Sequence, residues 1–137
     1  MINNFHGKHF FLSNFFCIPV KYGNLTFTNT EAAFHSEKCP SRSSEFVNLN
    51  PSEAKRLGRR VKLRPDWEDV KDDIMLDVVR TKFEQHPDLA QKLLETGDEE
   101  LVEGNTWGDR YWGVCGGKWK NMLGKILMRV REELRRK

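Results

Sequence analysis

Cysteine is scarce in this chain and long apolar runs are missing, and each shortage removes a class of protein. The three cysteines, Cys17, Cys39 and Cys115, cannot all pair within one chain and show no C-x-x-C spacing. That argues against a disulfide scaffold and against a cysteine zinc site. No apolar stretch approaches the ~20 residues that a membrane-spanning helix needs. The opening MINNFHGKHFF lacks the basic start, apolar stretch and small-residue cleavage site of a secretory signal. A cytoplasmic protein with no membrane association is expected. His6 and His9 stand three apart without a further ligand at metal spacing, so no metal site is read. GGKWKN (116–121) lacks the first glycine and the hydroxyl residue of a phosphate-binding Walker loop. Repeats, low-complexity tracts and linkers are also absent, and 137 residues are read as one domain, 1–137.

What is present is charge, aromatic surface and helical periodicity. With 38% apolar and 31% charged residues, a folded domain is expected rather than a disordered one. The net charge of +3 decides little, but two runs concentrate it: GRRVKLR (58–64) and MRVREELRRK (128–137). Such runs are usually solvated faces, and they are also what a phosphate-bearing partner needs.

PVKYGNLTFTN (19–29) reads as a β-hairpin turning at Gly23-Asn24. Thr30 is then placed as the N-cap of a helix that begins at Glu31 and stops near Cys39, ahead of Pro40. Short helices are expected around 43–49 and 52–57. From Asp66, the residues Trp67, Val70, Ile74, Met75, Val78 and Phe83 recur at three- and four-residue steps, the stripe of a long helix. Pro87 starts another helix that ends near Thr96-Gly97. ELVEG (100–104) reads as a short strand or turn, and the glycine-tryptophan stretch after it as irregular. From about Lys120 a last helix carries Met122, Leu123, Ile126, Leu127, Val130 and Leu134. The fold class is predominantly α (α+β), a helical domain with one small N-terminal hairpin.

Two places can carry chemistry. In EAAFHSEK (31–38), Glu31, Phe34, His35 and Lys38 share one helix face, so an acid and a lysine bracket an aromatic side chain. The plain alternative is a first-turn Glu favoured by the helix dipole and a solvated Lys. In EGNTWGDRYWGVCGGKW (103–119), three of the four tryptophans lie among glycines with Glu103 and Asp109. Glycine lets backbone approach a ligand closely, and an indole such as Trp112 can stack on a base. The plain alternatives are a loop Asp that accepts nearby backbone N–H groups and tryptophans that fill a core. By periodicity alone, Trp67 reads as a core anchor.

Taken in order, FLSNFF, the hairpin, TEAAFHSEK, GRRVKLRPDW, LLETGDEELVEGNTWGDRYWG and NMLGKILMRVREEL resemble the NADAR (YbiA-like) superfamily, from about Phe10 to Leu134. That resemblance implies a compact, mainly helical N-glycosidase. Known members act on phosphoribosylamino-pyrimidine intermediates of riboflavin synthesis or on ADP-ribosylated guanine in nucleic acid. It carries Glu31 to the position of the family's helix acid and Lys38 to that of the lysine closing the helix. Trp67 matches the tryptophan after the basic segment. Glu103, Asp109, Trp112 and Gly113 match the later acid and the Asp-x-x-Trp-Gly motif, and Ser13 and Asn14 match the Ser-Asn-Phe turn. The chain departs from the pattern at Ala33, where many members have an aromatic, and at Val114-Cys115, where many have a second glycine.

Cleaving an N-glycosidic bond builds positive charge on the sugar and negative charge on the departing base, so carboxylates and proton donors suit it. Glu31 and Asp109 are the expected acidic actors, either of which can face the sugar. Lys38 is expected to orient Glu31 or to bind phosphate. Asn14, Trp67, Glu103, Trp112, Gly113 and Arg60 are the expected substrate-binding residues, with Arg59 and Arg64 as further phosphate contacts. All of Glu31, Lys38, Asp109 and Trp112 are expected to line one cleft. This chemistry requires no metal and no organic cofactor. The partner is a small-molecule riboside or an ADP-ribosylated nucleic acid. The rival reading is a non-catalytic module that binds ADP-ribose or nucleic acid, which would need the basic runs and tryptophans but not paired acids. In a purely structural partner protein, those acids would have no purpose.

Overall fold

The computed structural model describes residues 1–116 and 118–137. Gly117 and the side chains of Lys118 and Trp119, part of the glycine-tryptophan stretch, lie outside the described residues. The chain forms two compact units, residues 14–85 and residues 1–13 together with 86–137.

The first unit opens with the expected hairpin, β1 (Cys17–Tyr22) and β2 (Leu25–Asn29), antiparallel with Tyr22 opposite Leu25. Gly23 takes the positive φ that so short a turn demands. The ladder is irregular between Cys17 and Val20, where Pro19 removes a donor. Helix α1 (Thr30–Ser36) follows directly. Its cap is Asn29 rather than Thr30: the Asn29 side chain accepts the Ala32 N–H at 2.7 Å and donates to the Leu49 carbonyl at 2.9 Å. The helix also ends earlier than Cys39. The N–H groups of Glu37 and Lys38 bond to Phe34 and His35 carbonyls, tightening the last turn. A 3-10 stretch, Pro40–Phe46, comes next.

Helix α2 (Pro51–Gly58) starts on a reciprocal capping box. Asn50 accepts from the Glu53 N–H at 2.8 Å, and Glu53 accepts from the Asn50 N–H at 2.9 Å. Helix α3 (Trp67–Gln85) buries Trp67, Met75, Val78, Val79 and Phe83, with Lys82 in the same stripe. Its last residue, Gln85, grips β1 through both the N–H and the carbonyl of Lys21, at 2.9 and 2.7 Å. Helix α1 packs against β1, β2, α2 and α3. Its inner residues are therefore enclosed on several sides, and Ala32 and Ala33 are fully buried.

In the second unit, α4 (Pro87–Glu95) packs on α5 (Met122–Arg135) through Leu89, Leu93, Leu123, Ile126, Leu127 and Val130, all buried. A 3-10 turn at Gly7–Leu12 precedes them in sequence and was not anticipated. Ile2 bridges Leu101, its N–H bonding to the Glu100 carbonyl and its own carbonyl accepting from Val102, both at 2.9 Å. Part of ELVEG is thus extended. The glycine-tryptophan stretch is less irregular than its composition implies, because β3 (Val114–Cys115) pairs antiparallel with β4 (Lys118–Trp119). The class is α+β and mainly helical. Among the described residues, no helix is long and apolar enough to cross a membrane.

Candidate active site

Within the first unit, α1 brings the sequence-flagged group together. The side chain of Glu31 is 13% exposed, and its Oε1 lies 2.7 Å from His35 Nε2, one turn on. The His35 ring stands edge-on to Phe34, with centroids 5.3 Å apart, and Phe34 in turn lies 5.2 Å from Trp67. Lys38 closes the set with Nζ 5.7 Å from the Trp67 centroid. Because α1 ends at Ser36, Lys38 sits in the turn beyond the helix rather than on it. Burial lowers the Lys38 pKa, the Glu31 carboxylate works against that, and Arg59 and Lys55 add to the lowering. The N–H of Glu31 donates to the Asn14 carbonyl at 3.2 Å. Asn14 itself is buried, and its side chain donates to the Met75 sulfur at 3.3 Å. An acid in a mostly enclosed setting is therefore held by an imidazole, backed by aromatic rings and near enough to Lys38 to act on its charge.

The expected phosphate contacts sort differently. Arg59 and Arg60 are exposed at the end of α2, and Arg59 lies close enough to act on Lys38, as does Lys55. Arg64 is committed elsewhere: its guanidinium binds Asp66 at 2.7 and 3.2 Å, which raises the Arg64 pKa and lowers that of Asp66. Trp67 is only 6% exposed, so it backs the Phe34–Lys38 group as a wall.

The second unit holds the other set. Asp109 is half-buried and does what a loop aspartate ordinarily does: its Oδ1 accepts the N–H groups of Tyr111 and Trp112 at 3.1 and 2.9 Å. Asn105 braces the same turn from the other side. Its Oδ1 accepts the Asp109 N–H at 3.0 Å, and its Nδ2 donates to the Asp109 carbonyl at 2.8 Å. Trp112 is half-buried, its ring perpendicular to Tyr111 at 4.8 Å, whereas Trp107 is 55% exposed. Gly113 has a packing reason: a Cβ there would fall 2.3 Å from the Glu103 carbonyl and 2.7 Å from Asn105 Nδ2. Glu103 is tied in through its N–H, which donates to Asn121 Oδ1 at 3.1 Å. Glu103 and Asp109 thus belong to one hydrogen-bonded loop.

Sequence reasoning left several of these contacts unread. The Glu31–His35 bond was available from the i, i+4 spacing. Asn105 had a weaker signal, four residues before an acid in a glycine-rich loop. Asn121 had only its place in the Asn-x-Leu-Gly segment. It is buried in left-handed backbone, and its side chain donates to the Leu101 carbonyl at 2.9 Å. Lys55, beside Lys38, lies outside both basic runs.

Comparison with known proteins adds a family to this geometry. The NADAR domain model matches residues 2–135. N-glycosidase YbiA of Escherichia coli is 42% identical over 128 residues, covering 89% of this chain and 79% of that protein. A riboflavin biosynthesis protein of Vibrio vulnificus is 38% identical over 133 residues, 93% of this chain but 36% of its own length. The solution NMR structure of YbiA from Escherichia coli superposes with a TM-score of 0.86 at 40% identity, over 98% of this chain and 85% of that one.

Proposed function

The chain belongs to the NADAR family, and from that premise we propose that it is an N-glycosidase. It hydrolyses the bond between a ribose and the nitrogen of a base, and its substrate is a small riboside that carries phosphate. Water adds at the anomeric carbon, the C–N bond breaks with its electron pair going to nitrogen, and that nitrogen takes up a proton. The observation that carries the reading is Glu31, an acid with a 13% exposed side chain that is nonetheless hydrogen-bonded and faced by Lys38. A carboxylate so held is suited to stabilise an oxocarbenium-like sugar or to take a proton from the attacking water.

In this reading Asp109 is the second acid, and Lys38 orients Glu31. Trp112 supplies the surface for the base, with Trp67 as a buried wall. Asn14, Glu103 and Gly113 act through the backbone geometry around those groups. Lys38, Lys55 and Arg59 form the phosphate-facing cations, with Arg60 as an exposed neighbour. The size of the substrate follows from the fate of the second basic run. On α5, Arg129 pairs with Glu133, Arg135 with Glu132 and Asp98, and Arg136 with Glu132. Those three arginines are matched by acids of the chain itself, and the cations around Lys38 are the set we assign to a phosphate. That arrangement favours a metabolite over a nucleic-acid strand.

Glu31→Gln keeps size and hydrogen bonding but removes the charge. Incubated with phosphoribosylamino-pyrimidine and with its dephosphorylated form, the wild type is expected to release base, read by chromatography. The variant is expected to lose turnover by about 100-fold or more while binding of the intact riboside changes little, as for an interaction made in the transition state. Binding without turnover in the wild type would mark a non-catalytic reader of the ligand. Near-normal turnover of the variant would shift the acid's role to Asp109.

A further inference from the structure

Glu31 is held by a residue that the chemistry does not itself require. His35 is 6% exposed and presents Nε2 to Glu31 Oε1 at 2.7 Å. The other ring nitrogen, Nδ1, is buried without a hydrogen-bond partner among the described residues and faces Gly58. A Cβ built on Gly58 would sit 2.4 Å from Nδ1, 2.9 Å from the ring carbon Cγ and 3.2 Å from the His35 Cβ. Real side-chain carbons do not approach that closely, so the imidazole occupies space that exists only because residue 58 has no side chain. The neighbouring contact, edge-on to Phe34, closes a further side of the ring. With Nδ1 lacking an acceptor and Nε2 facing a carboxylate oxygen, the proton of the neutral ring belongs on Nε2.

We propose that His35 is a positioning residue that fixes the Glu31 carboxylate through its Nε2–H, and that Gly58 is its required partner, leaving the gap the ring fills. The functional consequence rests on the N-glycosidase reading, whereas the contact itself does not. A free glutamate samples several rotamers, and a displaced catalytic group costs up to ~10²-fold in rate even when all the chemistry is present. Gly58 is informative because it is the last residue of helix α2 and is not among the glycines with positive φ. Alanine is the better helix former at such a site, so a defect from Gly58→Ala has to come through the ring it displaces.

Five variants and one spectrum test this. His35→Ala and Gly58→Ala are each expected to lower kcat on phosphoribosylamino-pyrimidine by about 10- to 100-fold with KM changed less than about 3-fold. His35→Gln, whose amide can donate to Glu31 from nearly the same place, is expected to recover most of the rate. In the His35→Ala background, Gly58→Ala is expected to have no further effect, because the gap is then empty. Imidazole 15N resonances of His35 are expected to report the Nε2–H tautomer in the wild type and to move in both Glu31→Gln and Gly58→Ala. Wild-type kcat in Gly58→Ala, equal losses from Gly58→Ala with and without the imidazole, or an Nδ1–H tautomer each overturns the proposal. If His35→Ala does not fold, His35→Gln, Gly58→Ala and the spectrum still decide. If the wild type cleaves no riboside, the hydrolase reading falls and the spectrum alone judges the contact. If it cleaves and the variants keep full rate, the positioning role falls and the hydrolase stands.

Discussion

Asp109 uses a single oxygen, Oδ1, to accept two main-chain N–H groups, while Asn105 braces its own backbone on the opposite side. Such a carboxylate is fixed in direction, and the proposed catalytic role and the bonding of the turn rest on one side chain. They separate by choice of substitution. Asn retains an oxygen that can accept both N–H groups, whereas Ala removes the acceptor and leaves two donors of the turn unmatched. Each lost charge-assisted bond of this kind is worth roughly 1.5–3 kcal/mol, less where water reaches the turn. Asp109→Asn is therefore expected to melt within a few degrees of the wild type, and Asp109→Ala distinctly lower, by thermal unfolding. If Asp109 is the second acid, base release falls in both variants, by about 10²-fold or more, as for loss of an acid–base group. Full turnover in Asp109→Asn would assign the residue to the turn alone.

At the scale of elements, the long helix α3 carries the strongest conflict between pattern and chemistry. Its stripe was legible from Trp67 to Phe83, because apolar side chains at helical steps have one place to go. Lys82 was not legible: it is 1% exposed, between the Phe16 and Phe83 rings at 5.7 and 5.3 Å from its Nζ, and burial pushes its pKa down to about 7. A charge symbol in a sequence reads as solvent-facing, and only packing reveals otherwise. In the unfolded chain a lysine titrates near ~10.4. Between pH ~7 and ~10.4 the unfolded state thus binds more protons than the folded one, and stability rises with pH in that window. Below pH ~7 both states are protonated and the slope vanishes. The wild type is expected to melt a few degrees higher at pH 9 than at pH 7, and Lys82→Met to lose most of that difference. An identical pH slope in both proteins would remove Lys82 as its source. Other elements were less readable for physical reasons of their own. The cap moved from Thr30 to Asn29 because both residue types can accept an N–H, and the choice lies in the Leu49 carbonyl that Asn29 also reaches. The β3–β4 hairpin had no alternating pattern to announce it. The Glu31–His35 contact, by contrast, follows directly from the i, i+4 spacing, whereas Lys38 lies past the end of α1. The Asp109 turn was visible as composition but not as geometry, since its Asn105 brace depends on backbone direction.

For the whole molecule, a net charge of +3 is too small to draw in a polyanion by itself, so any attraction has to be local. The two basic runs differ in this respect. The C-terminal one is laced with ion pairs to Glu132, Glu133 and Asp98, whereas Lys55 and Arg59 lie near enough to Lys38 to add to the lowering of its pKa. The number of phosphates engaged can be read from salt. Each phosphate neutralised on a nucleic acid releases condensed counterions, and a partner held at 6–10 phosphates loses ~10³–10⁵ in affinity between ~50 and ~200 mM salt. A riboside with one phosphate has no such atmosphere to release and is expected to lose only a few-fold in kcat/KM over that range. Its dephosphorylated form should be nearly insensitive, because screening over about 8–10 Å then has no ligand charge to act upon. Arg59→Ala and Lys55→Met should each lower kcat/KM on the phosphorylated substrate by about 3- to 30-fold, as for loss of a charge-assisted contact, and scarcely change that on the dephosphorylated one. A steep salt dependence with an ADP-ribosylated strand as the better substrate would reverse the assignment. It would mean that the acids on α5 do not keep its arginines from a polyanion, and that the cations around Lys38 are one part of a longer track.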